Sequence, residues 1–154
     1  METKNSKTIP ILIADDDEED LMLLQDAMEE SRLINPLHFV VNGEEVMDFL
    51  LNRGRFSDKE LYPKPGLILL DLNMPKKDGR EVLKEIKKNP QLKSIPIVIL
   101  TTSKAEEDIL RTYDLGVNSY ITKPVSFNSM VEVVKSFSKY WFEIVSIPYS
   151  IVVK

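Results

Sequence analysis

The sequence predicts an α/β domain with an open parallel sheet at its centre and helices on both faces of that sheet. Short apolar runs that are typical of buried strands alternate with longer segments whose apolar residues recur at helical spacing. Four of the strand-like runs also end on polar side chains of complementary chemistry. Together these observations predict repeated strand–helix units whose strand ends meet at one edge of the sheet.

Five apolar runs are the candidate strands, and they are expected near residues 9–15, 37–41, 66–71, 95–101 and 119–122. The helices between and after them are expected over residues 18–31, 44–52, 79–89 and 104–116, with a fifth from about residue 126. We expect the fourth helix to bury Ile109, Leu110 and Tyr113. In the fifth, Trp141 falls on the same apolar stripe as Phe137.

Length and composition limit the possible functions. With 154 residues the chain most simply forms one domain. The formal net charge of −5 argues against nucleic acid as a direct partner, because binding phosphates requires a basic patch. The absence of cysteine excludes a disulfide scaffold, a thiolate metal site and a cysteine nucleophile. No apolar stretch is long enough to span a bilayer and no signal peptide is recognisable, so we expect a cytoplasmic protein without a membrane partner.

The strand ends carry the chemistry. On this interpretation Asp15, Asp16, Asp71, Thr101 and Lys123 all fall at carboxyl ends of strands, where open parallel sheets bind ligands. Three clustered carboxylates repel one another unless a cation lies between them. Oxygen ligands without nearby histidine or cysteine favour Mg²⁺, for which Mn²⁺ can substitute.

A phosphoryl group fits the same set of residues. Lys123 would supply a positive charge and Thr101 a hydroxyl for its oxygens, while Asp71 could act as the nucleophile. Each residue alone also has an ordinary explanation: Asp71 as a turn former, Lys123 as a solvated lysine, Thr101 as a strand residue. Their combination at the ends of four of the five predicted strands is much harder to explain structurally.

These residues lie in motifs that resemble the response-regulator receiver domain of two-component signalling. The motifs are Ile13-Ala14-Asp15-Asp16, Leu69-Leu70-Asp71-Leu72-Asn73-Met74-Pro75 with Asp78-Gly79, Leu100-Thr101-Thr102, and Tyr120-Ile121-Thr122-Lys123-Pro124. The resemblance implies a flavodoxin-like, doubly wound (βα)₅ fold with strand order 2-1-3-4-5. It also implies that a sensor histidine kinase phosphorylates Asp71.

The resemblance further implies a role for each site residue. Asp16, Asp71 and the backbone carbonyl of Asn73 would bind Mg²⁺ directly, and Asp15 would assist through water. Thr101 and Lys123 would contact the phosphoryl oxygens, and Tyr120 would turn inward when Thr101 moves. The Lys123–Pro124 peptide bond would be cis.

The long loop over residues 53–65 and the apolar tail resemble the single-domain, phytochrome-associated branch of the family. We therefore divide the chain into an N-terminal segment (1–8), a receiver domain (9–140) and a C-terminal extension (141–154). Phosphorylation would act by changing the binding of a downstream protein, and the kinase could be of phytochrome type.

The tail poses a choice between packing on its own domain and offering an apolar surface to a partner. We favour the second, with a homodimer formed by the fourth helix, fifth strand, fifth helix and tail. His38, the only histidine, is more easily explained as a packing or edge residue than as a phosphoacceptor.

Two other functions are weighed against the phosphoacceptor switch. A phosphatase with an aspartyl nucleophile commonly has a general acid two residues further on, where this chain has Asn73, so an enzyme is not expected. The alternative is a receiver-like interaction module that is never phosphorylated, which the complete set of signature residues disfavours. A nucleotide or flavin site is not expected, because no glycine-rich phosphate loop is present.

Overall fold

The computed structural model describes residues 9–149, which form one parallel sheet between two layers of helices. The strands are β1 (Ile11–Ala14), β2 (Leu37–Val40), β3 (Leu67–Leu70), β4 (Ile97–Thr101) and β5 (Ser119–Thr122). All neighbouring pairs are parallel and the order is β2-β1-β3-β4-β5. The predicted fold and strand order are therefore confirmed.

The helices follow the strands in alternation, as predicted. They are α1 (Glu18–Glu30), α2 (Gly43–Leu50), α3 (Gly79–Lys88), α4 (Glu106–Asp114) and α5 (Phe127–Lys139). Side chains of β1 alternate between the two faces of the sheet: Ile11 and Ile13 pack with α1 and α5, whereas Leu12 and Ala14 pack with α2 and α3. The central strands are buried on both faces, which explains their continuous apolar sequence.

Helix α4 differs from the sequence prediction. Leu110 is 68% exposed and Tyr113 is 48% exposed, so the prediction that they are buried is wrong. The buried residue is Thr112, whose hydroxyl donates to the carbonyls of Asp108 and Ile109 within the same helix. Helical spacing shows that apolar residues share a face, but it does not show whether that face meets the core or the solvent.

The loop over residues 53–65 packs against α2 and the edge strand β2. It contains a 3₁₀ turn, Gly54–Phe56, and its buried Phe56 lies against Phe49 and Tyr62 with ring centroids 5.3 and 5.1 Å apart. His38 joins this aromatic group, 5.2 Å from Phe49. Burial lowers the pKa of His38, which agrees with its predicted packing role.

The described part of the tail packs on its own domain. A π-helical turn, Tyr140–Ile144, continues α5, and Trp141 (8% exposed) and Ile147 (2%) are buried with α1 and α5. The expectation that the tail is mainly an exposed surface is therefore wrong for these two residues, because Trp141 continues the apolar stripe of α5. Tyr140 and Ile144 do remain exposed. The predicted apolar residues Ile151 and Val152 lie outside the described residues.

Two further findings concern residues 9–149. The Lys123–Pro124 bond is trans, so the cis bond implied by the family resemblance is not observed; trans is the more stable form of an X–Pro bond in general. Within the described range, no helix is both long enough and apolar enough to cross a membrane.

Candidate functional site

The carboxyl edge of the sheet brings together polar residues from four strands. Asp15 follows β1, Asp71 follows β3, Thr101 ends β4 and Lys123 follows β5. Backbone hydrogen bonds align the strand ends. The Asp71 N–H donates to the Ala14 carbonyl at 3.0 Å, and the Lys123 N–H donates to the Thr101 carbonyl at 2.8 Å. The juxtaposition predicted from the sequence is therefore present.

Both oxygens of the Asp71 carboxylate are held by neighbouring groups. The Thr101 hydroxyl donates to Oδ1 at 2.6 Å, and the backbone N–H of Asn73 donates to the same oxygen at 3.2 Å. The Lys123 ammonium donates to Oδ2 at 2.9 Å. Asp71 and Thr101 are buried, so these contacts fix the orientation of the carboxylate away from bulk water.

Lys123 uses its three N–H donors on three carboxylates. Its Nζ lies 2.5 Å from Asp15 Oδ2, 2.8 Å from Asp20 Oδ2 and 2.9 Å from Asp71 Oδ2. Burial lowers the pKa of Lys123, but the hydrogen bonds that its ammonium donates to the three carboxylates outweigh burial and raise that pKa above its usual value. The amine is therefore a permanent positive charge at the centre of the acidic group.

Asp15 carries the strongest carboxyl perturbation at this edge. Its pKa is raised to about 6, mainly because burial penalises the ionised form. Hydrogen bonds from Lys123 and from the Asp17 N–H oppose that effect without cancelling it. Without a metal, the folded chain therefore holds the Asp15 proton to a higher pH than the unfolded chain does.

We expect this shift to appear in the pH dependence of stability in Mg²⁺-free buffer. The Asp15 contribution is fully present below its unfolded pKa of 3.8 and is lost as pH rises through about 6. The unfolding free energy of the wild type, relative to that of Asp15→Asn, should therefore fall by roughly 1–3 kcal/mol as pH rises across that window. Urea titrations from pH 4 to 7 measure it, and a difference that is constant with pH would contradict the shift.

Three carboxylates at this edge are close enough to share one cation. Oxygens of Asp15, Asp16 and Asp71 all lie within 4.8 Å of one another, and Asp16 is exposed on the solvent side. Ligands on opposite sides of a Mg²⁺ ion are about 4.2 Å apart, so this spacing is near that of a single coordination shell. The donor set consists of hard oxygens, which fits Mg²⁺ or Mn²⁺ and disfavours soft metals.

Tyr120 lies on β5 beside this edge. Its ring packs against the core and its hydroxyl donates to the carbonyl of Ser103 at 3.0 Å. Ser103 follows Thr101 by two residues, in the loop between β4 and α4. Tyr120 therefore contacts the segment that carries Thr101, but a switching role for it stays a prediction.

The sequence interpretation missed three residues near the site. Asp20 is the third carboxylate partner of Lys123, and its only sequence signal was the acidic first turn of α1. Arg80 on α3 pairs with Asp108 on α4, 28 positions apart. No pattern in the sequence links these two positions, because their contact depends on where the fold places the first turns of α3 and α4.

The fold and the edge together define a class of protein. A β2-β1-β3-β4-β5 sheet with clustered aspartates, a threonine and a lysine at its carboxyl edge is the arrangement of a receiver domain. Residues 11–135 match the family described as the response regulator receiver domain, and the chain belongs to that family.

Several characterised relatives are similar over most of their length. Response regulator Rcp1 of Synechocystis sp. is 43% identical over 138 residues, which cover 90% of this chain and 92% of Rcp1. The structure of the phosphorylated cyanobacterial phytochrome response regulator RcpA matches with a TM-score of 0.84 at 41% identity, covering 92% of this chain and 99% of RcpA. The Mn²⁺-bound form of Rcp1 matches with a TM-score of 0.82 at 43% identity, covering 91% and 99%.

The general function of the protein follows from its membership of this family. The protein is a receiver-type response regulator of two-component signalling, with a histidine kinase as the implied partner. Mg²⁺ is the cofactor, since receiver domains bind it and the acidic group fits it.

Proposed function

We propose that Asp71 is the phosphoacceptor of a Mg²⁺-dependent switch. The observation that carries this proposal is the environment of its carboxylate: within residues 9–149, Asp71 is the member of the acidic group that contacts both the Thr101 hydroxyl and the Lys123 ammonium. In the reaction, a carboxylate oxygen attacks the phosphorus of a phosphohistidine. The P–N bond breaks, and the imidazole leaves with the bonding electron pair.

The remaining residues have supporting roles. Asp15, Asp16, Asp71 and the backbone carbonyl of Asn73 would hold Mg²⁺, with Asp15 acting through water. The bound cation supplies charge neutralisation for the carboxylates and the incoming phosphoryl oxygens. Lys123 and Thr101 already contact Asp71, so each is close enough to bind an oxygen of the new phosphoryl group.

We further propose that the chain is a switch and not a phosphatase of other substrates. Asn73 stands two residues after Asp71, and its amide cannot donate a proton as a general acid. The chain would promote its own phosphorylation and dephosphorylation. The resulting signal would be a movement of Thr101 and Tyr120 that changes the α4, β5 and α5 face.

Partner identity follows from the relatives as a proposal. RcpA is described as a phytochrome response regulator, which supports a phytochrome-type kinase for this chain and hence a cytoplasmic setting. A homodimer through α4, β5 and α5 is supported by the exposed Leu110 and Tyr113. Trp141 and Ile147 are buried and would not form that interface. The oligomeric state in solution tests the dimer: we expect the wild type to dimerise and Leu110→Asp, which places a charge on this face, to be monomeric.

One experiment tests the proposed function. The wild-type protein is incubated with a small acyl phosphate, with Mg²⁺ or with excess chelator, and its intact mass is measured over time. We expect a single adduct that forms with Mg²⁺, is at least about tenfold slower to form with chelator, and is removed by hydroxylamine as an acyl phosphate should be.

Other outcomes point elsewhere. No adduct with either a small donor or a phosphorylated histidine kinase would contradict the proposal and favour the unphosphorylated interaction module. Rapid multiple turnover of the donor, without accumulation of an adduct, would favour an enzyme.

A further inference from the structure

Helix α4 is weakly attached to the rest of the domain. Within this helix only Thr112 is buried, and the residue before its first turn, Ala105, provides no side-chain cap. The other four helices begin at capping side chains: Asp17, Asn42, Asp78 and Ser126. Some other contact must therefore hold the first turn of α4 in place.

Arg80 of α3 supplies that contact. Its Nε lies 2.8 Å from Asp108 Oδ1 and its Nη2 lies 2.7 Å from Asp108 Oδ2, which is the forked geometry of a strong ion pair. The same guanidinium contacts Asp78 at 3.0 Å. Both partners of the α3–α4 pair are largely shielded from solvent. The hydrogen bond from Arg80 lowers the pKa of Asp108 to about 2.

The position of Arg80 is unusual for its charge. A cation in the first turn of a helix is opposed by the helix dipole, which favours anions there. Asp78 and Asp108 compensate that repulsion. We therefore attribute the presence of Arg80 at this position to its contact with α4, and not to stabilisation of α3 itself.

The pair is connected to the switch residues on one side. Asp108 Oδ2 also accepts the Ser103 hydroxyl at 2.7 Å, and the Ser103 carbonyl accepts the Tyr120 hydroxyl at 3.0 Å. A continuous series of contacts thus runs from α3 through the loop after Thr101 to β5. Moving that loop requires some of these contacts to break.

The pair is fixed relative to the phosphoacceptor on the other side. The Gly79 N–H donates to the carbonyl of Leu72 at 3.0 Å, and Gly79 lies so close to the Asp71 backbone that a Cβ there would clash. Since Gly79 precedes Arg80, the first turn of α3 is anchored to the Asp71 loop. Arg80 is therefore a rigid support against which the loop after Thr101 is held.

We propose that Arg80 is a positioning residue for the phosphorylation switch: through Asp108 and Ser103 it holds the loop after Thr101 where the Ser103 carbonyl accepts the hydroxyl of the inward-packed Tyr120, the arrangement expected of the switched state. Loss of the pair would lower the population of that arrangement before phosphorylation. This inference rests on the proposed function, because it assumes that the loop moves when Asp71 is phosphorylated.

The first test measures the rate of phosphorylation by a small acyl phosphate in Mg²⁺. We expect Arg80→Gln and Asp108→Asn each to lower the rate about fivefold, the effect of removing one well-formed ion pair from one of two states. The double variant should show no further decrease, because both changes remove the same interaction. Arg80→Lys, which keeps the charge but not the fork, should fall between the wild type and Arg80→Gln.

Lys77→Gln is the matched control. It breaks the 2.7 Å ion pair between Lys77, which precedes the first turn of α3, and Glu85 further along the same helix. This pair does not reach α4. Its rate should equal that of the wild type. Thermal unfolding monitors folding of each variant, and Asp108→Asn carries the test if Arg80→Gln fails to fold. Unchanged or higher rates, or additive effects in the double variant, would overturn the proposal.

The second test does not depend on phosphorylation. The tyrosines are labelled with 3-fluorotyrosine, and the ¹⁹F resonance of Tyr120 is assigned by its loss in Tyr120→Phe. We expect that resonance to shift in unphosphorylated Arg80→Gln and Asp108→Asn but not in Lys77→Gln. A Tyr120 resonance unaffected by Arg80→Gln and Asp108→Asn would overturn the coupling. If it shifts while the wild type accepts no phosphoryl group, the proposed function fails and the coupling stands.

Discussion

Replacing Asp71 with asparagine is expected to abolish the phosphoryl adduct formed from a small acyl phosphate in Mg²⁺. The amide keeps the size of the side chain and an oxygen that can accept the Thr101 hydroxyl, but it is a very poor nucleophile. It also removes one negative charge from the three-carboxylate group. We expect the amount of adduct to fall at least about a hundredfold, measured by intact mass under conditions that saturate the wild type.

Asp17→Asn is the control for this prediction. Asp17 is an exposed neighbour of the acidic group and caps α1 through its side chain, a role that asparagine fulfils equally well. This variant should accept the phosphoryl group as the wild type does. An adduct that persists in Asp71→Asn would show that a different residue is the acceptor, and loss in both variants would point to general acidity of the edge instead of one nucleophile.

Trp141→Ala is expected to destabilise the domain by about 3–5 kcal/mol, the range for truncating a large buried aromatic residue. Trp141 is 8% exposed and packs in the core formed with α1 and α5, although it lies beyond the last α-helix. Its removal would leave a cavity under the tail. Urea unfolding followed by far-ultraviolet circular dichroism is the measurement, since the variant lacks the only tryptophan of the chain.

Ile144→Ala, in the same π-helical turn, provides the comparison. Ile144 is 61% exposed, so its truncation should change stability by no more than about 0.5 kcal/mol. If Trp141→Ala were no more destabilising than Ile144→Ala, the tail would not contribute to the core. A large difference between the two variants would agree with a tail that is part of the folding unit.

Sequence periodicity predicts the buried face of α5 but not that of α4. The apolar stripe of α5 faces the core and continues to the buried Trp141, as its spacing indicates. The apolar spacing of α4 predicts burial as well, but Leu110 and Tyr113 face outward. Periodicity reports which residues share a face, whereas the depth at which a helix packs depends on the neighbouring elements.

The tail shows the same limit. Its apolar composition was visible in the sequence, but composition alone supports both a surface for a partner and a cover for the protein's own core. Only the packing of Trp141 and Ile147 against α1 and α5 distinguishes the two. Long-range side-chain pairs were also invisible: Arg80 and Asp108 meet because α3 and α4 are adjacent, and Asp20 reaches Lys123 across more than a hundred positions of the chain.

By itself, the sequence determined the order of strands and helices, the identity of the polar residues that end each strand, and the family to which they belong. It could do so because strand ends in a parallel sheet converge, so residues such as Asp71 and Lys123 meet whatever the details of packing. Only the tertiary structure decided the contacts that depend on how helices lie on that sheet. These are the packing of Trp141 and Ile147 on α1 and α5, the outward orientation of Leu110 and Tyr113 on α4, and the Arg80–Asp108 pair. Each depends on side chains that are distant in sequence and are positioned by packing alone.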